Sequence, residues 1–249
     1  WIISSLLLVC LSRLDNLNGG QIPSEIEEAL SWAEAELVAI ADRERNWVGI
    51  HALEALLELG EREKVLSVIG TAPENFSSRE YRVGVWRVMA LASGSREEQS
   101  RWVGKLEKSY LDKRSPDRIQ ALESLCKVGV MPSIRVIRSV SDKLLSSREV
   151  DAETMYSLWI LSRANDSSAF DAFSELFEST DVEVRRRAGY IVSRIKNQRP
   201  GMVNVLMNAY AAESQDTIAY WYLNCAILKL NADPENFPLL RDSLESSLD

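Results

Sequence analysis

From Pro23 onward, apolar residues recur at helical rather than strand spacing. Ile26, Leu30, Ala33, Leu37 and Ile40 follow one another at steps of four, three, four and three, which gathers them on one stripe of a helix. No window sustains the alternation of a half-buried strand, so the pattern predicts an all-α chain. The breaks between windows predict helices over 25–41, 45–59, 62–69, 79–93, 97–111, 115–128, 131–146, 151–164, 167–178, 181–195, 199–211, 215–229 and 236–247. Ser24 with Glu27, Ser95 with Glu98 and Thr180 with Glu183 have capping-box spacing, in which a hydroxyl and a carboxylate satisfy backbone N–H groups that lack helical partners. Pro116, Pro132 and Pro200 fall at predicted first turns, and Gly60, Gly70 and Gly129 fall where a helix end favours a left-handed residue.

The second helix of each pair carries a recurring phase. His51-Ala52 with Ala55-Leu56 returns as Trp86-Arg87 with Ala90-Leu91, Gln120-Ala121 with Ser124-Leu125, and Arg187-Ala188 with Ile191-Val192. Thr154-Met155 with Leu158-Trp159 and Trp221-Tyr222 with Cys225-Ala226 complete the set. The starting positions 51, 86, 120, 154, 187 and 221 are separated by 35, 34, 34, 33 and 34 residues, and ALEALLELG (52–60) matches ALESLCKVG (121–129). Such self-similarity is the signature of a repeat array. The first helices carry their own stripes: Trp102, Leu106 and Tyr110; Ile134 and Ile137; Phe170, Phe173 and Phe177; Met202, Leu206 and Ala209; Phe237, Leu240 and Leu244. One hairpin cannot bury both stripes, whereas stacked hairpins can, so the expected fold is a right-handed α-solenoid of about six helix hairpins over residues 23–249.

Composition narrows the function classes. The 249 residues are 46% hydrophobic and 27% charged, enough for a sizeable core and outside the disordered and collagenous classes. A net charge of −8 opposes non-specific nucleic-acid binding. Cys10, Cys126 and Cys225 are odd in number and widely spaced, which fits neither a disulfide framework nor a zinc ribbon. Residues 1–22 begin with the uncharged apolar run WIISSLLLVCLS, too short to span a bilayer and compatible with the end of a signal sequence, a transmembrane remnant, a lipoprotein signal at Cys10 or a capping helix. An exported or membrane-tethered location is favoured over a cytoplasmic one.

The segment Asp181-Val182-Glu183-Val184-Arg185-Arg186-Arg187-Ala188 resembles the second half of a short bacterial HEAT repeat, D-x-x-V-R-x-x-A. The resemblance implies that Asp181 caps its helix, Val184 and Ala188 face the core, and Arg185 reaches an acidic cap on a neighbouring repeat. Other copies keep apolar positions, Val48 with Ala52 or Val83 with Ala90, but not the full Asp and Arg ladder. A period near 34 also suits tetratricopeptide repeats, whose full residue set no copy carries. WVGIHALEALLELG, from Trp47 to Gly60, resembles helical regions appended to sulfatases or sodium-solute symporters in some envelope bacteria. That implies a part of a larger envelope-associated protein. Ser115-Pro116-Asp117-Arg118 lacks the sulfatase signature spacing, so any catalytic part lies outside this chain.

Candidate chemistry is sparse. His51 and Glu54 share a helical face and could orient a base or offer two metal ligands, fewer than a zinc site needs, so a structural role is expected. Cys126 and Cys225 lie on apolar faces as small hydrophobes. No phosphate-binding glycine motif occurs, and neither a cofactor nor a metal is expected. Trp47, Trp86 and Trp221 cannot all be enclosed beside the small residues at equivalent phases, and arginines recur at Arg82, Arg87, Arg118 and Arg185 to Arg187, with Arg194 beyond. Aromatics and arginines commonly anchor partners. The expected binding face is therefore Trp47, Trp86, Arg87, Arg118, Arg186 and Arg187, presented to another protein or to a neighbouring domain of a longer chain. The alternative from the enzyme class is a chromophore lyase, because some short HEAT-like proteins resemble phycobilisome lyases, or an accessory domain of a sulfatase or transporter.

Overall fold

The computed structural model describes residues 24–70, 73–76, 78–146, 150–163, 167–195 and 202–230. Among them are twelve α helices, two short 3-10 turns and no strand, so the all-α reading holds. The helices are α1 (Ser24–Arg43), α2 (Trp47–Glu58), α3 (Arg62–Ile69), α4 (Arg82–Ala92), α5 (Arg96–Leu111), α6 (Arg118–Val128), α7 (Ile134–Ser146), α8 (Ala152–Arg163), α9 (Ser167–Phe177), α10 (Val182–Val192), α11 (Met202–Ala212) and α12 (Ile218–Leu230). No helix among the described residues is long and apolar enough to cross a membrane. The expectations for residues 1–22, Pro200 and the helix over 236–247 lie outside the described residues, as do those for the side chains of Ser24, Ile26, Glu27, Leu30, Phe170, Met202 and Cys225.

Every other predicted helix is present, with the larger displacements at N-termini. Residues 79–81 form a 3-10 turn ahead of α4, and α6 and α7 begin two residues after Pro116 and Pro132. These prolines therefore shape the entry to each helix instead of occupying its first turn, because a proline pushes the residue before it out of the helical region. Asp181, not Thr180, caps α10: its carboxylate accepts from the Glu183 N–H at 2.8 Å. At α5 the Ser95 hydroxyl accepts from the Glu98 N–H at 3.1 Å, while the Glu98 carboxylate reaches back to the Gly94 N–H at 3.2 Å. Gly60 and Gly129, which end the two matching strings, have φ of 89° and 81°, a region costly for any residue with a Cβ.

The chain divides at Pro132–Ser133 into two compact units. In the first, α1 packs on α2 and α3, α4 on α5, and α5 on α6; the second helices α2, α4 and α6 also pack in succession, α2 on α4 and α4 on α6. In the second unit the hairpins are α7 with α8, α9 with α10, and α11 with α12; α8 touches α10, and α10 packs closely on α12. Burial follows the recurring phase. Ala52, Ala55, Leu56, Ala90, Ala121, Ser124, Leu125, Met155, Leu158, Trp159, Ala188, Ile191, Val192 and Ala226 are all buried. So are Trp102, Leu106, Tyr110, Phe173, Phe177 and Leu206 from the first helices.

Three apolar residues point outward against expectation: Val48, Leu91 and Ile134, the last 59% exposed. Helix α7 is rotated so that Val136 and Val140 supply its buried positions. Helical spacing admits more than one apolar stripe there, and the neighbouring helix selects between them.

Close helix contact is made possible by glycine. A Cβ at Gly84 on α4 would stand 2.5 Å from Ile50 Cδ1 and 2.8 Å from Trp47 Cζ3 on α2. Gly189 holds the corresponding kind of contact in the second unit, its Cβ position lying 3.3 Å from Tyr222 Cβ on α12. Gly84→Ala is expected to lower stability by about 1–3 kcal/mol through overpacking. Gly104→Ala, in the open on α5, should raise it by up to about 1 kcal/mol. Thermal melts followed by circular dichroism check both, and equal shifts for the two variants would contradict the packing role of Gly84.

Candidate partner-binding site and the buried charges behind it

The phase that puts an alanine at 52 and 121 puts an arginine at 87, and the structure shows why an arginine can stand there. Arg87, only 1% exposed, lies inside the stack of α2, α4 and α6. Its Nε rests against Glu54 Oε1 on α2, and its Nη1 donates to Ser124 Oγ on α6 at 3.1 Å. Glu54 also meets His51 Nδ1 at 2.8 Å, and the His51 ring stacks on Trp47 at 6.1 Å between centroids. On α6, Lys127 Nζ lies 3.0 Å from Glu123 Oε1. The α2–α4–α6 seam thus carries acid, base and acid in turn.

Burial disfavours ionisation of Glu54, but Arg87, then Lys127 and His51 outweigh it and hold its carboxyl far below the usual carboxylate range. Burial likewise works against Glu123, and Lys127 and Arg87 prevail, with Glu54 opposing them. A buried charge left without its partner is costly. His51 is therefore the outer member of a structural row. Among the described residues there is no group of three His, Cys, Asp or Glu side chains that could hold a metal ion. Cys126 is fully buried and forms no disulfide among the described residues.

Arginine–acid pairs also tie neighbouring hairpins. Arg82, the first residue of α4, donates from Nε to Asp117 Oδ2 at 2.7 Å, and Asp117 stands at the start of α6. In the second unit Arg185 on α10 forms a two-pronged pair with Glu213 ahead of α12, Nε to Oε2 at 2.6 Å and Nη2 to Oε1 at 2.9 Å. Arg185 Nη1 also donates to the Ser179 carbonyl at 2.7 Å. The hydrogen bonding of Arg185 to Glu213 is the chief reason the Glu213 carboxyl sits below its ordinary range.

The six residues expected to form one binding face are not equivalent. Arg87, expected on that face, is instead enclosed, and its guanidinium lies 5.8 Å from the Trp47 ring. Trp47 is half-buried and meets Tyr81 edge-on. Arg118 lies over Tyr110 of α5 at 4.7 Å. Arg186 lies over Tyr222 at 5.5 Å and donates from Nε and Nη2 to Glu183 Oε2 at 3.0 and 2.9 Å. Arg187 is the more open of that pair, 37% exposed at its side chain. Trp47, Trp86 and Trp221 are all half-buried, as their crowded phases required.

Trp86 has the most distinctive surroundings. With Pro73, Arg79, Arg82 and Val85 it lines a cleft of about 230 Å³ in the first unit. The Arg82 guanidinium lies 5.6 Å and Lys105 Nζ 5.7 Å from the Trp86 ring centroid. Such cations over an aromatic face are mutually favourable. Arg79 was not singled out in the sequence, because it belongs to no repeat phase; it enters through the 3-10 turn at 79–81. The signal for Gly84 was present: Val48-Gly49-Ile50 and Val83-Gly84-Val85 repeat at a separation of 35.

No family model matches the chain, and no curated protein or solved structure matches it.

Because the unfolded chain protonates Glu54 and Glu123 near the ordinary 4.5 while the folded chain resists to lower pH, their contribution is complete above that range. It is lost as pH falls through the folded values. Glu54→Gln is expected to cost about 2 kcal/mol at pH 7, and the deficit should shrink toward pH 3. Urea unfolding at both pH values measures it; an unchanged deficit would show that the charge of Glu54 is not what matters.

Proposed function

We propose that the chain is a HEAT-like helical-repeat module that binds another protein, or a neighbouring domain of a longer chain, without catalysing a reaction. Its hairpins would continue as a right-handed α-solenoid. The Asp181 cap supports this reading, because it matches what the HEAT-like pattern implies for that residue, and Arg185 does bridge to an acid of the next hairpin, although that acid, Glu213, precedes α12 and Thr217 supplies the cap. The Arg82–Asp117 bridge, at a separation of 35 residues, is a second rung of the same kind.

The observation that carries the binding reading is the half-buried Trp86, set in a cleft beside Arg79, Arg82 and Lys105. An aromatic side chain among cations offers apolar area and charge to one partner. Arg187, open on α10, is the corresponding candidate in the second unit.

A photo-crosslinking amino acid placed at position 86 should capture a defined partner in cells that make the protein. Arg187→Glu should weaken recovery of that partner on the immobilised chain with the melting temperature within about 2 °C of wild type, as expected for a surface change, whereas Trp86→Ala, at a half-buried position, should weaken recovery with helicity retained and the melting temperature lowered. A partner recovered equally by both variants would move the binding face elsewhere on the molecule.

A further inference from the structure

The Trp86 cleft has a chemistry that narrows its occupant. Its lining joins the apolar Pro73, Val85 and Trp86 to Arg79 and Arg82. The two arginines differ. Arg82 is committed to Asp117, with Nη2 and Nε at 2.5 and 2.7 Å from the same carboxylate oxygen. Arg79 is exposed and makes no side-chain hydrogen bond or ion pair among the described residues. Glu80, its neighbour, is engaged with the Tyr81 hydroxyl. The cleft therefore offers apolar surface beside one uncommitted guanidinium, that of Arg79, while Arg82 is already neutralised by Asp117.

We propose that this cleft docks an acidic peptide segment of a partner protein, seating an apolar side chain on Trp86 and Pro73 and an adjacent side-chain carboxylate on Arg79. The inference rests on reading this surface as partner-binding. Charge complementarity selects the acidic segment, since a planar guanidinium pairs well with carboxylate. The apolar surface would be wasted on a bare anion. A long polyanion would have to approach a molecule of net charge −8, whereas a short segment needs to place only one carboxylate on Arg79. The volume of about 230 Å³ suits a single large side chain with its immediate neighbours, not a buried helix.

The test is calorimetric titration of the full chain with acetylated, amidated Glu-Asp-Leu-Phe-Asp-Glu at concentrations up to about 1 mM. Binding is expected. It should weaken when Leu-Phe is replaced by Ala-Ala, and vanish when the acids are replaced by lysines. Arg79→Glu should weaken it by about tenfold or more, whereas Arg43→Glu, the same charge change on exposed Arg43 of α1, should not. Arg79 holds no partner among the described residues, so Arg79→Glu is expected to melt like wild type; Trp86→Leu gives a second reading of the apolar seat. Absence of binding, equal loss with Arg43→Glu, or heparin binding with the same dependence on Arg79 would overturn the proposal. If the peptide fails while crosslinking at position 86 still captures a partner, the surface is right and the acidic class is wrong; if both fail, the partner-binding reading falls too.

Discussion

Arg87 can be buried only because the helices on either side of it bring polar partners into the same seam. An enclosed guanidinium with nothing to meet it would cost several kcal/mol. With Glu54 on one side and Ser124 on the other it becomes a strut between α2 and α6 that passes through α4. That strut works only at short range, and Gly84 makes the range short by letting α4 settle on Ile50 and Trp47. Trp47 then completes the enclosure with its ring 5.8 Å from the guanidinium. Small residue, buried charge and aromatic cover are thus one arrangement in the first unit.

The second unit reaches a comparable end by other means. Its seam is aromatic: Trp159 on α8, Tyr190 on α10 and Tyr222 on α12 meet edge to face at 5.9 and 5.8 Å. Arg163, Arg194 and Arg186 each lie over one of these rings. Arginine–acid bridging between hairpins is common to both units, through Arg82 with Asp117 and Arg185 with Glu213. In the first unit the bridge also neutralises Arg82, which leaves Arg79 as the uncommitted arginine of the Trp86 cleft.

Much of this was legible in the residues. The constant phase of the second helices identified their buried positions, because a repeat that must stack on itself places equivalent residues at equivalent depths. Its residue type, against its phase, put Arg87 on an outer face. Its phase is that of Ala52 and Ala121, both buried, yet an arginine reads as a surface residue when its partners lie 33 and 37 residues away. Leu91 shows the converse, an apolar residue at a buried phase that faces solvent. Arg79 was invisible for a third reason: it sits in a connecting turn, where periodicity carries no information.

By itself, the amino-acid order determined the all-helical class, the helix count within the described residues to within small end shifts, and the period that relates one second helix to the next. These follow from local backbone preference and from spacing along the chain, which are properties of neighbours in sequence. Only tertiary structure decided the rotation of α7 that buries Val136 in place of Ile134, the choice of Glu54 and Glu213 as arginine partners, and the gathering of Pro73, Arg79 and Trp86 around one cleft. Such choices depend on how far each helix turns about its own axis, and that angle is set by the helix packed against it.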